Sequence, residues 1–179
     1  MIEEKLIISD TNIFIDLISI NVLDKLFLLP CDIYTTDFVV NEIKWPNQRA
    51  KIDKHIITKD LEEVSFGFDE LIKISELHSN SSTSMTDCSV WYLAKETGGR
   101  LLTGDGKLKK AAEFDNVKVS GILYIIDNLV EYGVLDKMSA ATLLNQLTMI
   151  IIQGCLRKNE KNELKNGECK QALIYQKTI

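Results

Sequence analysis

Residues 5–17 read KLIISDTNIFIDL, and how this stretch folds decides the rest of the chain. Leu6, Ile7 and Ile8 form a short uninterrupted apolar run. Such a run suits a strand covered on both faces in a parallel sheet better than an alternating strand with one wet face. It ends at Ser9-Asp10. Ile13, Phe14, Leu17 and Ile18 then recur at helical spacing, with Thr11 or Asn12 available as N-cap. The opening unit is therefore strand, turn, helix, with a carboxylate at the turn.

Further along, the unit repeats with variations. Residues 32–36 have strand character, and Asp37 is placed to cap a helix carrying Val39, Val40 and Ile43 before Pro46 stops it. Glu42, in TTDFVVNEI, falls about a turn and a half into that helix. Residues 47–60 read as a connecting helix or loop, 61–66 as a short strand and 69–77 as a helix. Residues 78–83 (HSNSST) are the most loop-like stretch. They lead into SMTDCSVWYLAKE, where Ser84 and Asp87 have capping-box spacing and the helix should stop at Gly98-Gly99. Residues 100–103 then make a strand, Gly104-Asp105-Gly106 a turn, 107–114 a basic helix and 117–119 a last strand. Beyond Gly121 the pattern is helical over 122–132 and 139–153, followed by a charged amphipathic tail over 159–176.

Strands alternating with helices imply a parallel sheet covered on both faces, joined by right-handed crossovers. In such sheets ligands bind at the carboxyl ends of the strands. Asp10 and Asp105 both follow strands, so topology alone puts these two distant residues on one rim. The expected fold is α/β, a three-layer α/β/α sandwich around a central parallel sheet. The expected division is a main domain over residues 1–155 and a charged helical extension over 156–179.

Composition narrows the function. The chain has 179 residues, 45% of them hydrophobic, with a mean hydropathy of -0.01, and no apolar run approaches the roughly 20 residues that span a bilayer. The start lacks the basic opening and small-residue cleavage site of a signal peptide, which points to an intracellular, cytoplasmic protein without membrane contact. Cys31, Cys88, Cys155 and Cys169 are scattered, with no CxxC or CxxH spacing, and His55 and His78 belong to no HExxH pattern, so zinc and disulfides are poorly supported. Both histidines are expected at the surface. The net charge of -5 argues against a uniformly basic nucleic-acid coat. From Ile150 onward six basic residues face three acids, a tail of +3 against -8 for the remainder.

Four motifs now stand in order: an apolar strand ending in Asp-Thr-Asn, a Val-x-x-Glu helix around Glu42, a Ser-x-x-Asp helix start, and an apolar strand ending in Thr-x-Asp. Together, over roughly residues 5–150, they resemble the PIN-domain family. The segment Val119-Ser120-Gly121 and the helix after it extend the likeness. The resemblance implies an α/β/α nuclease that uses Mg²⁺ or Mn²⁺, akin to the VapC-type ribonuclease toxins that pair with an antitoxin. Carried over by position, it puts Asp10, Glu42, Asp87 and Asp105 in the catalytic site, with Asp10, Asp87 and Asp105 as metal ligands and Thr11, Asn12 and Thr103 shaping it. Where many members carry a further acid, this chain has Lys109 and Lys110, so one ion or two is left open. Asp16 would belong at most to an outer shell.

Hard oxygen ligands suit such cations, and a cation held by carboxylates activates water and neutralises a phosphoryl oxygen. Crowded carboxylates have raised pKa values without a cation, so metal should stabilise the fold. Each acid also has a plainer role: Asp87 in a capping box, Asp10 and Asp105 at turns before helices, Glu42 as a solvated helix residue. Lys107, Lys109 and Lys110 are candidate phosphate contacts or a solvated helix face. Trp45 with Lys51 and Lys54 offers an aromatic and basic clamp for RNA, although a Trp beside Pro46 more often covers core. Trp91 and Tyr92 read as core. Leu143, Leu144, Leu147, Ile150 and Ile151 read first as core, then as a homodimer face or docking groove. Alongside the RNA endonuclease stand two other functions: a non-catalytic PIN-fold binding module, and a nuclease for structured DNA.

Overall fold

The structure, a computed structural model, describes residues 6–160. The Asp-Thr-Asn stretch folds as read, with strand β1 (Leu6–Ser9) running through Asp10 into helix α1 (Thr11–Ser19). A short α2 (Leu23–Leu26) leads to β2 (Asp32–Thr36), α3 (Asp37–Glu42), α4 (Pro46–Thr58) and β3 (Leu61–Val64). Then follow α5 (Phe68–Asn80), α6 (Met85–Thr97), β4 (Arg100–Leu102), α7 (Gly106–Phe114), β5 (Val119–Ser120), α8 (Ile122–Glu131) and α9 (Lys137–Glu160).

Among the described residues five parallel strands stand in the order β3-β2-β1-β4-β5. The chain steps outward from β1 to β3, then returns to the other side of β1 to lay down β4. The strand order therefore reverses between β1 and β4, the place where open α/β sheets form their binding crevice. Ser9 stands opposite Leu102 there, and the Asp10 amide donates to the Leu102 carbonyl at 3.1 Å. One helical layer has α6 against β1, β2 and β4, flanked by α5 and α7; on the other side α1 packs with α2, α4 and α8. The result is the three-layer α/β/α sandwich.

Burial explains why these segments settle. Ile8, Ile33, Leu101 and Leu102 are buried in the sheet, and Ile13, Phe14 and Leu17 come down from α1. Residues 88–94 of α6 are buried all round, so that helix has no wet face along its middle; Trp91 and Tyr92 are core, as expected. Each such aliphatic side chain taken from water contributes about 1.5–3 kcal/mol. Polar threads cross the core too: Thr35 Oγ1 donates to the Ser9 carbonyl at 3.0 Å, and Thr36 and Ser89 share a bond of 2.8 Å. Helix α6 stops at Gly98, whose φ of +69° is the left-handed C-cap that a side chain disfavours.

Several local expectations need correction. The N-cap of α1 is Asp10, not Thr11 or Asn12. The N-cap of α3 is Thr36, whose Oγ1 accepts from the Val39 amide, rather than Asp37. Helix α3 ends at Glu42, and Pro46 opens α4 instead of closing α3, because proline at a first helical position forfeits only an amide that is unpaired anyway. Trp45 does not cover core, since 73% of it is exposed. His55 is not at the surface: it is 4% exposed. Along α9, Leu147 is buried and Leu143 and Leu144 pack against the core, while Ile150 faces outward. The tail over 159–176 lies almost wholly outside the described residues, as does Cys169. Cys31 and Cys88 are free thiols. No described helix is long and apolar enough to cross a membrane.

Candidate active site

Asp10 leaves the central strand at the switch point, and its side chain is 1% exposed. Its Oδ2 accepts from Thr103 Oγ1 at 2.8 Å and from Asn12 Nδ2 at 3.3 Å. Its Oδ1 is buried with no hydrogen-bond partner among the described residues. Burial, with the charge of Asp87 adding to it against the bonds from Thr103 and Asn12, pushes this carboxyl up to about 7. A carboxylate oxygen in such a place costs free energy unless a proton or a cation answers it.

The other acids are reached by different routes. Asp87 sits in the first turn of α6, where its Oδ2 accepts from the Ser84 amide at 2.9 Å while Ser84 Oγ accepts from the Asp87 amide at 3.0 Å. Its carboxyl is raised, first by burial and then, against the Ser84 bonds, by the charges of Asp105 and Glu42. Asp105 caps α7, its Oδ1 accepting from the amides of Lys107 at 2.6 Å and Leu108 at 2.9 Å. Thr103 Oγ1 links this turn to Asp10, since it donates to Asp10 and accepts from the Asp105 amide at 3.0 Å. Glu42 ends α3, a helix terminus where negative charge is disfavoured, and is held there by Thr11 Oγ1 at 2.6 Å.

All four acids thus belong to one electrostatic neighbourhood, with Asp87 feeling Asp105 and Glu42 and adding to the field at Asp10. Thr11, Asn12 and Thr103 each bond one of the carboxylates. Among the described residues no lysine or arginine pairs with any of them. Three of the four are tolerated because α1, α6 and α7 present their N-termini to them, the end of a helix that favours anions. Asp16 lies farther along α1, its carboxyl pushed up to about 6 by burial alone.

As a donor set these oxygens fit a hard divalent cation in kind and in charge, and Asp10 Oδ1 has nothing else to bind. Convergence is a separate matter. Among the described residues no three His, Cys, Asp or Glu side chains come together as a metal site. The hydrogen bonds give the reason: Asp87 and Asp105 are turned toward the amides they cap, and Glu42 toward Thr11. The plainer capping roles are therefore real and coexist with the shared field.

The lysines after Asp105 divide. Lys109 pairs with Glu113 along α7 at 3.8 Å, whereas Lys107 and Lys110 line a groove between α5, α6 and α7. Lys54, imagined beside Trp45, is instead bound to Asp24 at 2.8 Å.

Sequence reasoning missed a second charged cluster altogether. His55 of α4 places Nε2 2.8 Å from Asp24 Oδ1 and Nδ1 3.1 Å from Asp60 Oδ2. Its ring stacks on Phe27 with centroids 4.0 Å apart. Lys54 also pairs with Asp24, and Thr58 Oγ1 donates to Asp60 at 2.6 Å. These contacts hold both carboxyls below the ordinary range, Lys54 leading for Asp24 and Thr58 for Asp60. The partners lie 31 residues apart, and no local pattern announces them.

A chain of the VapBC2 structure from Rickettsia felis, bound to a DNA fragment from its promoter, is similar at 19% identity over 65% of this chain and 98% of that one, with a TM-score of 0.47. A chain of FitAcB from Neisseria gonorrhoeae is similar at 15% identity over 63% and 95%, with a TM-score of 0.41. Likenesses this slight say nothing of function. A comparison with curated proteins finds no match. The family model DUF3368, described as a PIN domain, matches residues 6–152, a span that runs from β1 into α9 and takes in all four acids. The chain belongs to the PIN-domain family.

Proposed function

We propose that the chain is a metal-dependent endoribonuclease in which Asp10, Asp87 and Asp105 hold Mg²⁺ or Mn²⁺ and Glu42 completes the acidic site. The observation that carries this reading is Asp10: a buried carboxyl at the switch point of a PIN-domain sheet, with one oxygen unpartnered. Thr103 and Asn12 fix Oδ2, so that Oδ1 is the atom left for the site. Thr11 keeps Glu42 at the rim against the unfavourable end of its helix. The N-termini of α1, α6 and α7 favour a phosphate as they favour the carboxylates. Held by Asp10, Asp87 and Asp105, such an ion would supply activation of water and neutralisation of charge at a phosphoryl oxygen. The toxin role, with a protein antitoxin as partner, and a homodimer rest on the sequence resemblance and on α9, and enter as part of this proposal.

The test is cleavage of single-stranded RNA in Mg²⁺ or Mn²⁺. Activity should vanish in EDTA and fall by about 100-fold or more in Asp10→Asn, with the fold unchanged by circular dichroism. Cleavage that survives both treatments, or its absence with every metal and RNA tried, overturns the reading. One observation favours the alternative of a non-catalytic binding module: the acids do not converge as a metal site among the described residues. That alternative expects no heat of Mn²⁺ binding by calorimetry. Running structured DNA beside RNA assigns the substrate.

A further inference from the structure

A groove of about 670 Å³ opens between α5, α6 and α7, and two of its walls are continuous in sequence with the capping acids Asp87 and Asp105. One wall is the turn that carries Ser81, Ser82 and Thr83 into the Ser84–Asp87 cap; the other is α7, which begins at the cap Asp105 and supplies Lys107, Lys110 and, at the lip, Phe114. The hydroxyl wall is braced. His78 Nδ1 lies 2.9 Å from the Thr83 carbonyl, and Ser81 Oγ lies 2.7 Å from Thr83 Oγ1. Trp91 lines the groove, and its indole Nε1 is buried without an acceptor.

Charge in the groove is unbalanced in one direction. Lys95 is neutralised by Asp115 at 2.7 Å, at the end away from the acids. Lys107 and Lys110 have no carboxylate partner among the described residues. Phe114 is 89% exposed, a large apolar face that folding does not use. Cations that no acid has claimed, hydroxyl groups and an exposed aromatic ring along one channel are what a single nucleic-acid strand meets: phosphates on the lysines, a base on the ring. From Asp105 to Phe114 the helix spans about 13 Å, enough for a few nucleotides.

We infer that this groove holds the RNA strand on one side of the cleaved bond, with Lys107 and Lys110 on its phosphates and Phe114 stacked on a base. The inference rests on the nuclease reading for its direction, away from the acidic rim, and its binding can be measured apart from cleavage. Lys107 and Lys110 take the role of positioning residues, and Phe114 is the contact that sets preference for an unpaired base.

Binding of a fluorescein-labelled single-stranded RNA is followed by anisotropy in EDTA, where no metal-dependent cleavage runs. Lys107→Gln with Lys110→Gln should weaken Kd at least tenfold and flatten the log–log salt slope by about 1.4, at about 0.7 per phosphate contact. Phe114→Ala should weaken it roughly fivefold or more, from the loss of one base stack. Lys25→Gln with Lys137→Gln removes the same charge from α2 and α9 and should bind as the unaltered chain does. RNA binding that ignores all three groove substitutions, or that falls equally with the control pair, overturns the inference. So does polyglutamate binding that needs the two lysines but not Phe114, which would make the groove a site for acidic peptide. If groove-dependent binding holds while Mg²⁺ and Mn²⁺ elicit no cleavage, the nuclease reading falls and the groove stands.

Discussion

Two acid-rich regions of this molecule carry their charge in opposite ways. At the His55 cluster, Asp24 and Asp60 lie against the two ring nitrogens, with Lys54 and Thr58 completing the set, and both carboxyls lie below the ordinary range. At the rim, Asp10 and Asp87 are raised, and among the described residues no cation answers them. Both regions gather acids from distant segments, so gathering alone does not mark a functional site. What separates them is completion. The His55 cluster is self-sufficient and joins α2, α4 and the turn before β3; the rim lacks a positive partner among the described residues and lies at the sheet's switch point.

The largest expected effect breaks this contrast at the rim. Asp10→Asn should lower RNA cleavage by about 100-fold or more, the scale of the several kcal/mol that a held cation supplies, measured as kcat/KM on a labelled oligonucleotide. Loss of less than about threefold would remove Asp10 from the site. At the other region, His55→Ala leaves two carboxylates without their shared partner and a ring-sized gap against Phe27. It should cost about 2–3 kcal/mol in urea denaturation while activity per folded molecule holds; a stability change below 0.5 kcal/mol, on the scale of a neutral surface substitution, would deny the cluster a structural role.

A pH experiment sharpens the contrast further. Asp10 is raised from 3.8 to about 7, so between those values the folded chain holds a proton that the unfolded chain has released. Its contribution to stability is full below about 4 and lost as pH rises through about 7, a matter of a few kcal/mol. Asp24 and Asp60 are lowered, so theirs is present above the ordinary carboxylate range and lost as pH falls through their depressed values. In the metal-free chain Asp10→Asn should therefore gain stability at pH 8 and change little at pH 4. Mn²⁺ should raise Tm more at pH 8 than at pH 5.5; an equal rise at both would place the ion elsewhere. The smallest effect is Asp24→Asn, below about 1 kcal/mol at pH 7 because Asp24 itself is largely exposed, with a flatter acid limb in the denaturation profile.

What could be read from the sequence follows from which forces are periodic. The apolar run of β1, the helical spacing of α1 and the Ser84–Asp87 box were legible, because burial and capping repeat at fixed local intervals. From these the sheet and its rim followed, and with them the neighbourhood of Asp10 and Asp105. The pairing of His55 with Asp24 was illegible, since contact across 31 residues leaves no periodic trace. Trp45 was misread because proline nearby speaks of a helix start, not of what the indole meets; α4 turns it outward. The split of Lys109 from Lys107 and Lys110 also needed the helix in place, since it depends on where Glu113 falls along α7.

One feature bears on how relatives of this chain should be compared. Asp87 and Asp105 hold helix ends through their side chains, whereas Asp10, although it stands at the N-cap of α1, makes no side-chain cap bond. On the proposed nuclease reading, a lineage that abandoned the chemistry would still keep the first two for the sake of α6 and α7. Asp10, costly while charged and structurally dispensable as a cap, would be the first to drift. On that reading the residue after the first strand is the position at which an active lineage would be told from a retired one, with the two capping aspartates kept in either.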